Sequence, residues 1–343
     1  MTRIILFVAS LMFASRALAQ GPGRPVIDMH IHAHSLADYG GGMPVCGNQG
    51  EMEFPGIDPK EGISFARELV VCPASSKIQP AANDDALMRE SIAMFAHHNI
   101  VMAVATGTAE RVRRWRHASG GRIIPATDFD TAVTRSPDAL RRRVRDDSIA
   151  VFAEITAQYD GVTLDDPRLE PYFALAEALD IPVGVHLGEG PAGGSYVMGG
   201  SPYRVRLGSP FQLEEVLVRH PRLRVYVMHY ASPLVDEMIA MLYSHPQLYI
   251  DIAQNNWGFP RAHFYSQLRR LIDAGFAKRI MWGSDQMIWP GAIPLAIETI
   301  SQAPFLSESQ KRDIFYNNAA RFLRLTQEEV ARHHATRSQP LPD

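Results

Sequence analysis

Residues 26–34 read VIDMHIHAH, and this stretch decides how the rest of the chain is read. Val26, Ile27, Met29 and Ile31 make a short apolar run with no helical period, and His30 and His32 stand two residues apart at its end. Side chains at i and i+2 of a strand leave the same face, so the two imidazoles point together. Paired imidazoles offer two ligands to one metal. Taken alone, the pair fits equally well with two histidines on a solvated strand end. His34 follows at the same spacing, past the expected strand end, and is a candidate for substrate contact.

Seven further apolar runs follow, at 100–106, 122–127, 149–155, 182–187, 223–229, 248–252 and 279–283. Some, such as IVMAVAT and VYVM, are apolar throughout, as expected of parallel strands covered on both faces. Helical patterns lie between them, opened by Asn83-Asp84-Asp85, Ser136-Pro137, Asp166-Pro167, Ser209-Pro210 and Ser232-Pro233. A polar capping residue, with proline in the first turn, is a helix start with a physical cause. Eight such alternations predict a (β/α)8 TIM barrel. An open doubly wound sheet is the alternative, but no G-x-G-x-x-G follows any strand, which weakens a dinucleotide-binding version.

The other strand ends reinforce the first. Glu154 ends the fourth run, His186 the fifth and His229 the sixth, and Asp285 follows the eighth. In a barrel these positions meet at the C-terminal rim, where active sites are built. The shared explanation is one site. The loops after them supply candidate substrate contacts: Tyr196 in the Gly-rich stretch that begins Gly188-Glu189-Gly190, Asn255 and Trp257 after the seventh strand, and Trp289 after the eighth. For the two tryptophans, loop packing is the alternative.

One connection is out of proportion. Residues 33–82 separate the first strand from its helix and contain the chain's two cysteines, Cys46 and Cys72. They lack the close spacing of a metal or redox pair, so a disulfide is expected, stapling a lid beside the site and worth about 3 kcal/mol by loop closure. Residues 1–19 read as an export signal: Arg3, an apolar run over 4–13, and Ala17-Leu18-Ala19 before the cut. Export places the protein in the periplasm or outside the cell, where disulfides persist. The expected domains are thus 1–19, a barrel over 20–326 with its 33–82 insertion, and a polar C-terminal tail over 327–343.

Composition narrows the partners. With 46% hydrophobic and 21% charged residues the chain is globular, and a net charge of −3 without basic runs argues against nucleic acid. No stretch approaches the ~20 apolar residues of a membrane span, so no membrane partner is expected once the signal is removed. A small-molecule substrate is expected, and a homo-oligomer is left open.

The set His30-x-His32, Glu154, His186, His229 and Asp285, with Gly283-Ser284-Asp285 after the eighth strand and YNNAARFL at 316–323, resembles the amidohydrolase superfamily. More narrowly it is similar to the amidohydrolase-related branch of metal-dependent hydrolases and nonoxidative decarboxylases, over about residues 26–325. The resemblance implies that His30, His32, His186 and Asp285 bind a divalent metal, that His229 is a catalytic or second-metal histidine, and that Asn318 is structural. Two departures stand out. Many relatives carry His-Gly-Gly where this chain has His229-Tyr230-Ala231, and many bridge two metals with a carboxylated lysine on the fourth strand. The four lysines here, Lys60, Lys77, Lys278 and Lys311, all lie outside the candidate strands. Glu154 occupies the bridging place. It either joins two ions, with His186 and His229 on the second, or serves as an acid beside one.

Imidazoles and a carboxylate suit zinc, with manganese and iron as alternatives. The expected activity is exported, metal-dependent hydrolysis of a small amide, ester or lactone, with Asp285 moving the proton and His229 or the metal polarising the carbonyl. Nonoxidative decarboxylation of a small carboxylic acid is the alternative. A non-catalytic metal-binding module is the second alternative.

Overall fold

Eight parallel strands follow one another around a barrel in the order of the sequence: Val26–Ala33, Ile100–Gly107, Ile123–Thr127, Val151–Ile155, Val183–His186, Val225–Met228, Leu248–Asp251 and Ile280–Met281. Helices alternate with them, so the fold is a TIM barrel. The structure is a computed structural model and describes residues 23–63, 69–128, 136–198 and 200–340. The expected export segment, residues 1–19, lies outside the described residues. Among the described residues no helix is long and apolar enough to cross a membrane.

Burial on both faces explains the unbroken apolar runs. Ile27, Met29, Val104, Val151, Tyr226, Met228 and Met281 form the inner cluster. Their neighbours Ile31, Ala105, Phe152 and Val227 pack outward with the helices. Gly184 is glycine because a Cβ there would sit 2.4 Å from the Tyr226 ring. The Tyr226 hydroxyl crosses the interior to donate to the Met29 carbonyl at 3.2 Å.

The first strand is not a simple alternation. Its pairing with Ile100–Gly107 shifts register between Asp28 and Ile31, as a bulge does when it re-aims side chains. Met29 belongs to the inner cluster and Ile31 to the outer one, so the shift lets Met29 and the His30–His32 pair all face inward. The ladder stops between the first and eighth strands. There the barrel closes on Met29 N–H to Trp282 O at 3.0 Å and Asp285 N–H to His30 O at 2.7 Å.

Helix caps follow the sequence closely at Asn83, whose side chain accepts from Ala86 N–H, and at Ser136, which accepts from Ala139 N–H. After Asp166, Ser209 and Ser232 the α-helices start later, at Glu170, Glu214 and Val235, behind short proline-bearing turns. Asn318, buried, donates to the carbonyls of Ala277 and Ile280 and so ties the last helices to the eighth strand. Residues Gln327–Ala335 form a helix with a capping box at Thr326.

The long connection after the first strand lies beside the barrel mouth, with Tyr39, Phe54 and Val70 on its cavity. It contains a short helix, Leu36–Tyr39, and a ribbon pairing Val45–Cys46 with Lys77–Ile78. Cys46 and Cys72 are joined as a disulfide, with Cα atoms 5.9 Å apart.

Candidate metal centre

The ligand-type side chains arrive from separate strand ends and meet around Glu154. Its Oε2 lies 3.4 Å from His30 Nε2 and 3.5 Å from His32 Nε2. Its Oε1 bonds His186 Nδ1 and lies 3.5 Å from His229 Nε2. One carboxylate thus divides the four histidines into two pairs. Asp285 Oδ1 stands on the first side, 3.0 Å from His32 Nε2 and 3.7 Å from His30 Nε2. His186 therefore groups with His229 and Glu154, across the carboxylate from the His30–His32 pair with which the family pattern associates it.

The ring tautomers follow from their partners. His30 Nδ1–H donates to Asp251 Oδ2 at 3.2 Å, and His229 Nδ1–H donates to the Ala253 carbonyl at 3.0 Å. Each neutral ring is left with an Nε2 lone pair facing the centre. His30 Nε2 and His32 Nε2 face each other at 3.2 Å, and Asp285 Oδ1 is buried without a hydrogen bond. Such a gathering of acceptors, with too few protons among them, is what a cation satisfies. The residues present fit a divalent metal.

Charge follows the same geometry. Burial opposes ionisation of Asp285, but with His30 and His32 protonated their charge outweighs it and holds the carboxyl at about 2. Burial likewise works against Glu154, and His30 and His186 carry it well below the usual carboxylate range. His34, stacked on His32 with ring centroids 4.4 Å apart, is pushed down to about 3 by burial and by His32. It is neutral at working pH.

Above this cluster opens a cavity of about 460 Å³ lined by His34, Tyr39, Phe54, Tyr159, Glu189, Asn255 and Phe259 among others. His34 and Asn255 lie where the sequence reading put them. Three aromatic candidates do not line it. Trp257 is buried with its indole N–H on the Ser284 carbonyl, and its own carbonyl accepts from the lid's Asn48 N–H. Trp289 donates to the lid carbonyl of Met43, so both tryptophans seat the lid on the barrel. Tyr196 is 70% exposed. Indole N–H groups seek a fixed acceptor when buried, and carbonyls of neighbouring loops supplied one.

Sequence reasoning missed Asp251, Thr106 and Tyr159. Asp251 fixes His30, Thr106 Oγ1 lies 2.5 Å from His32 Nδ1, and Tyr159 Oη lies 3.0 Å from His186 Nε2. Asp251 carried a readable signal: it closes the seventh apolar run as Glu154 closes the fourth.

No curated protein matches the sequence. An uncharacterized TIM-barrel protein from Bordetella bronchiseptica has a similar structure, with TM-score 0.55 at 19% identity over 72% of this chain and 86% of that one. A probable 2-pyrone-4,6-dicarboxylic acid hydrolase from Acinetobacter baumannii is similar at TM-score 0.54 and 15% identity, over 88% of this chain and 99% of that one. A 5-carboxyvanillate decarboxylase from Novosphingobium aromaticivorans, complexed with manganese, is similar at TM-score 0.51 and 14% identity, over 68% of this chain and 79% of that one. At these identities the likeness is one of fold. The sequence profile described as amidohydrolase matches residues 27–325, nearly the whole of the barrel, and the chain belongs to the amidohydrolase family.

Proposed function

We propose that this protein is a metal-dependent hydrolase that acts on a small amide, ester or lactone. The observation that carries the reading is the convergence of four imidazoles and two carboxylates, with Asp285 Oδ1 buried 3.0 Å from His32 Nε2. His30, His32 and Asp285 would hold a cation on one side of Glu154, and His186 and His229 offer donors on the other. Bound among these donors, a divalent cation supplies the positive charge that acidifies water and polarises a carbonyl oxygen.

The protein's own groups do the rest. Asp251 and Ala253 keep the His30 and His229 rings turned with their lone pairs inward. Asp285, a carboxylate at working pH, takes the proton from the attacking water and passes it to the leaving group. The lid residues Tyr39, Phe54 and Val70 line one side of the cavity and reduce the access of bulk water to the reacting atoms.

Glu154 stands between the His30–His32 and His186–His229 pairs, and His229 also groups with His30 and Asp285, so the donor set would serve one cation or two. Zinc suits the donor set, and manganese does too, as in the carboxyvanillate decarboxylase. Decarboxylation is the second reading, favoured by that neighbour. The disulfide between Cys46 and Cys72 supports an oxidising, periplasmic or secreted setting.

Metal analysis of the purified protein, with turnover on an ester, amide and lactone panel and carbon dioxide release measured in parallel, tests the reading. Hydrolysis that is lost on chelation and restored by zinc or manganese is expected. Asp285→Asn should lower kcat by about 10²–10⁴ with the fold retained. Carbon dioxide release without hydrolysis establishes the decarboxylase instead, and a fully active Asp285→Asn removes the proton-transfer role.

A further inference from the structure

Glu189 stands three residues past His186 and lines the cavity. Its backbone N–H donates to the Ser232 carbonyl at 2.8 Å, and its Oε1 accepts from the Ser232 hydroxyl at 3.0 Å. The same hydroxyl lies 3.1 Å from Gln267 Oε1, but that oxygen already accepts from the Tyr230 hydroxyl at 2.6 Å. A hydroxyl has one proton to give, and the carboxylate is the nearer and stronger acceptor, so Glu189 receives it. This bond fixes the carboxyl plane through Oε1. Oε2 is buried and has no hydrogen-bond partner.

Asn255 repeats the pattern. It is buried, lines the same cavity, and its Oδ1 has no partner. Buried acceptors without donors are rare in native proteins because each loses its hydration without replacement. Two of them, on residues that line one cavity, mark where a ligand's donors belong. The walls beside them are aromatic: Tyr159, and Phe54 stacked near Phe259 with ring centroids 6.5 Å apart. Ring faces attract cations and repel anions.

We propose that Glu189 is a specificity-determining residue. Its Oε2 accepts a hydrogen bond from an ammonium, amide N–H or hydroxyl on the part of the substrate that is not cleaved, and Asn255 Oδ1 is the second acceptor. The substrate is then a small aromatic compound bearing an amine or hydroxyl, and its carboxylate counterpart is rejected by the charge of Glu189. This assignment rests on the metal-hydrolase reading above. Burial pushes the Glu189 carboxyl up from its ordinary value, against the pull of the Ser232 hydrogen bond, and a bound ammonium would restore the ionised form.

The test uses benzohydroxamate, whose two oxygens chelate divalent cations, and its 3- and 4-substituted aminomethyl and carboxy derivatives. Binding to the metal-loaded protein is measured by titration calorimetry, and the ratio to the parent compound is read within each variant. In the wild type one aminomethyl isomer should bind about tenfold tighter than the parent and the matching carboxy isomer about tenfold weaker. Glu189→Gln and Glu189→Ala should each bring both ratios within about threefold of unity. Wild-type ratios near unity, or unchanged ratios in both variants, overturn the Glu189 assignment and leave the metal reading standing. Failure of benzohydroxamate itself to bind overturns the metal reading and this assignment with it.

Discussion

Asp251 and His30 form a buried carboxylate–imidazole pair, with His30 Nδ1–H donating to Asp251 Oδ2 at 3.2 Å. The other oxygen of Asp251 accepts the backbone N–H groups of His229 and Ala253 at 2.9 and 3.0 Å. One carboxylate thereby sets two of the inward-facing rings. Asp251→Asn would place an amide donor against His30 Nδ1 and force its proton to Nε2, the atom that faces His32. The expected result is about 10–100-fold weaker metal binding, measured by competition with a chromophoric chelator. Unchanged affinity would show that Asp251 does not position His30.

His229, Tyr230 and Ala231 have φ of 58°, 42° and 53°, three consecutive residues in the left-handed region. That conformation costs an L-residue roughly 1–2 kcal/mol. It is also the place where many family members carry glycines. Ala231→Gly should stabilise the protein by about 0.5–1 kcal/mol after the added chain entropy of glycine, read as a shift in the urea midpoint at constant slope. A loss of stability would mean that the Ala231 methyl packs more than its backbone strains.

The Cys46–Cys72 disulfide holds the lid that carries Tyr39, Phe54 and Val70 to the cavity. Replacing both cysteines by serine removes a closure worth about 3 kcal/mol. That loss should fall on the lid. Limited proteolysis should then cut within residues 33–82 first, and KM should rise more than kcat falls. Equal resistance of both proteins to protease would show the lid to be held by its seating on Trp257 and Trp289 alone.

His98 ends the helix Asp84–His97 with its ring edge-on to His97. Burial, with the neighbouring His97 adding, pushes it down from 6.5 to about 4. Between those values the unfolded chain holds a proton that the folded chain does not, so stability falls as pH drops through the window. His98→Gln removes the effect. Relative to wild type, the variant should gain about 1 kcal/mol at pH 4.5 compared with pH 7.5, a figure discounted because the ring is partly exposed. Parallel stability curves would show that His98 titrates normally.

The barrel was legible because its strands are buried on both faces. Each of the eight apolar runs overlaps a strand, and the strand ends carry His30, His32, Glu154, His186 and Asp285 into one cluster. What position along a strand does not encode is the direction of a side chain beyond the strand end. Trp257 and Trp289 follow the seventh and eighth strands as expected, yet their N–H groups turned to backbone carbonyls. Asp251 was lost among apolar neighbours because a lone acid at a strand end has many bland explanations. The division of the histidines by Glu154 depends on which oxygen faces which ring, and only three-dimensional placement decides that.

The first and eighth strands are joined by two backbone hydrogen bonds, and one of them ties Asp285 to His30. This joint of the barrel therefore runs through its proposed reaction centre. A cation held by His30 and His32 on one strand and Asp285 on the other would act as a clasp across that joint. Occupancy of the site and breathing of the barrel wall would then be a single equilibrium, and the amide hydrogens of Met29 and Asp285, which bond across the joint, would exchange more slowly with the cation bound than without it.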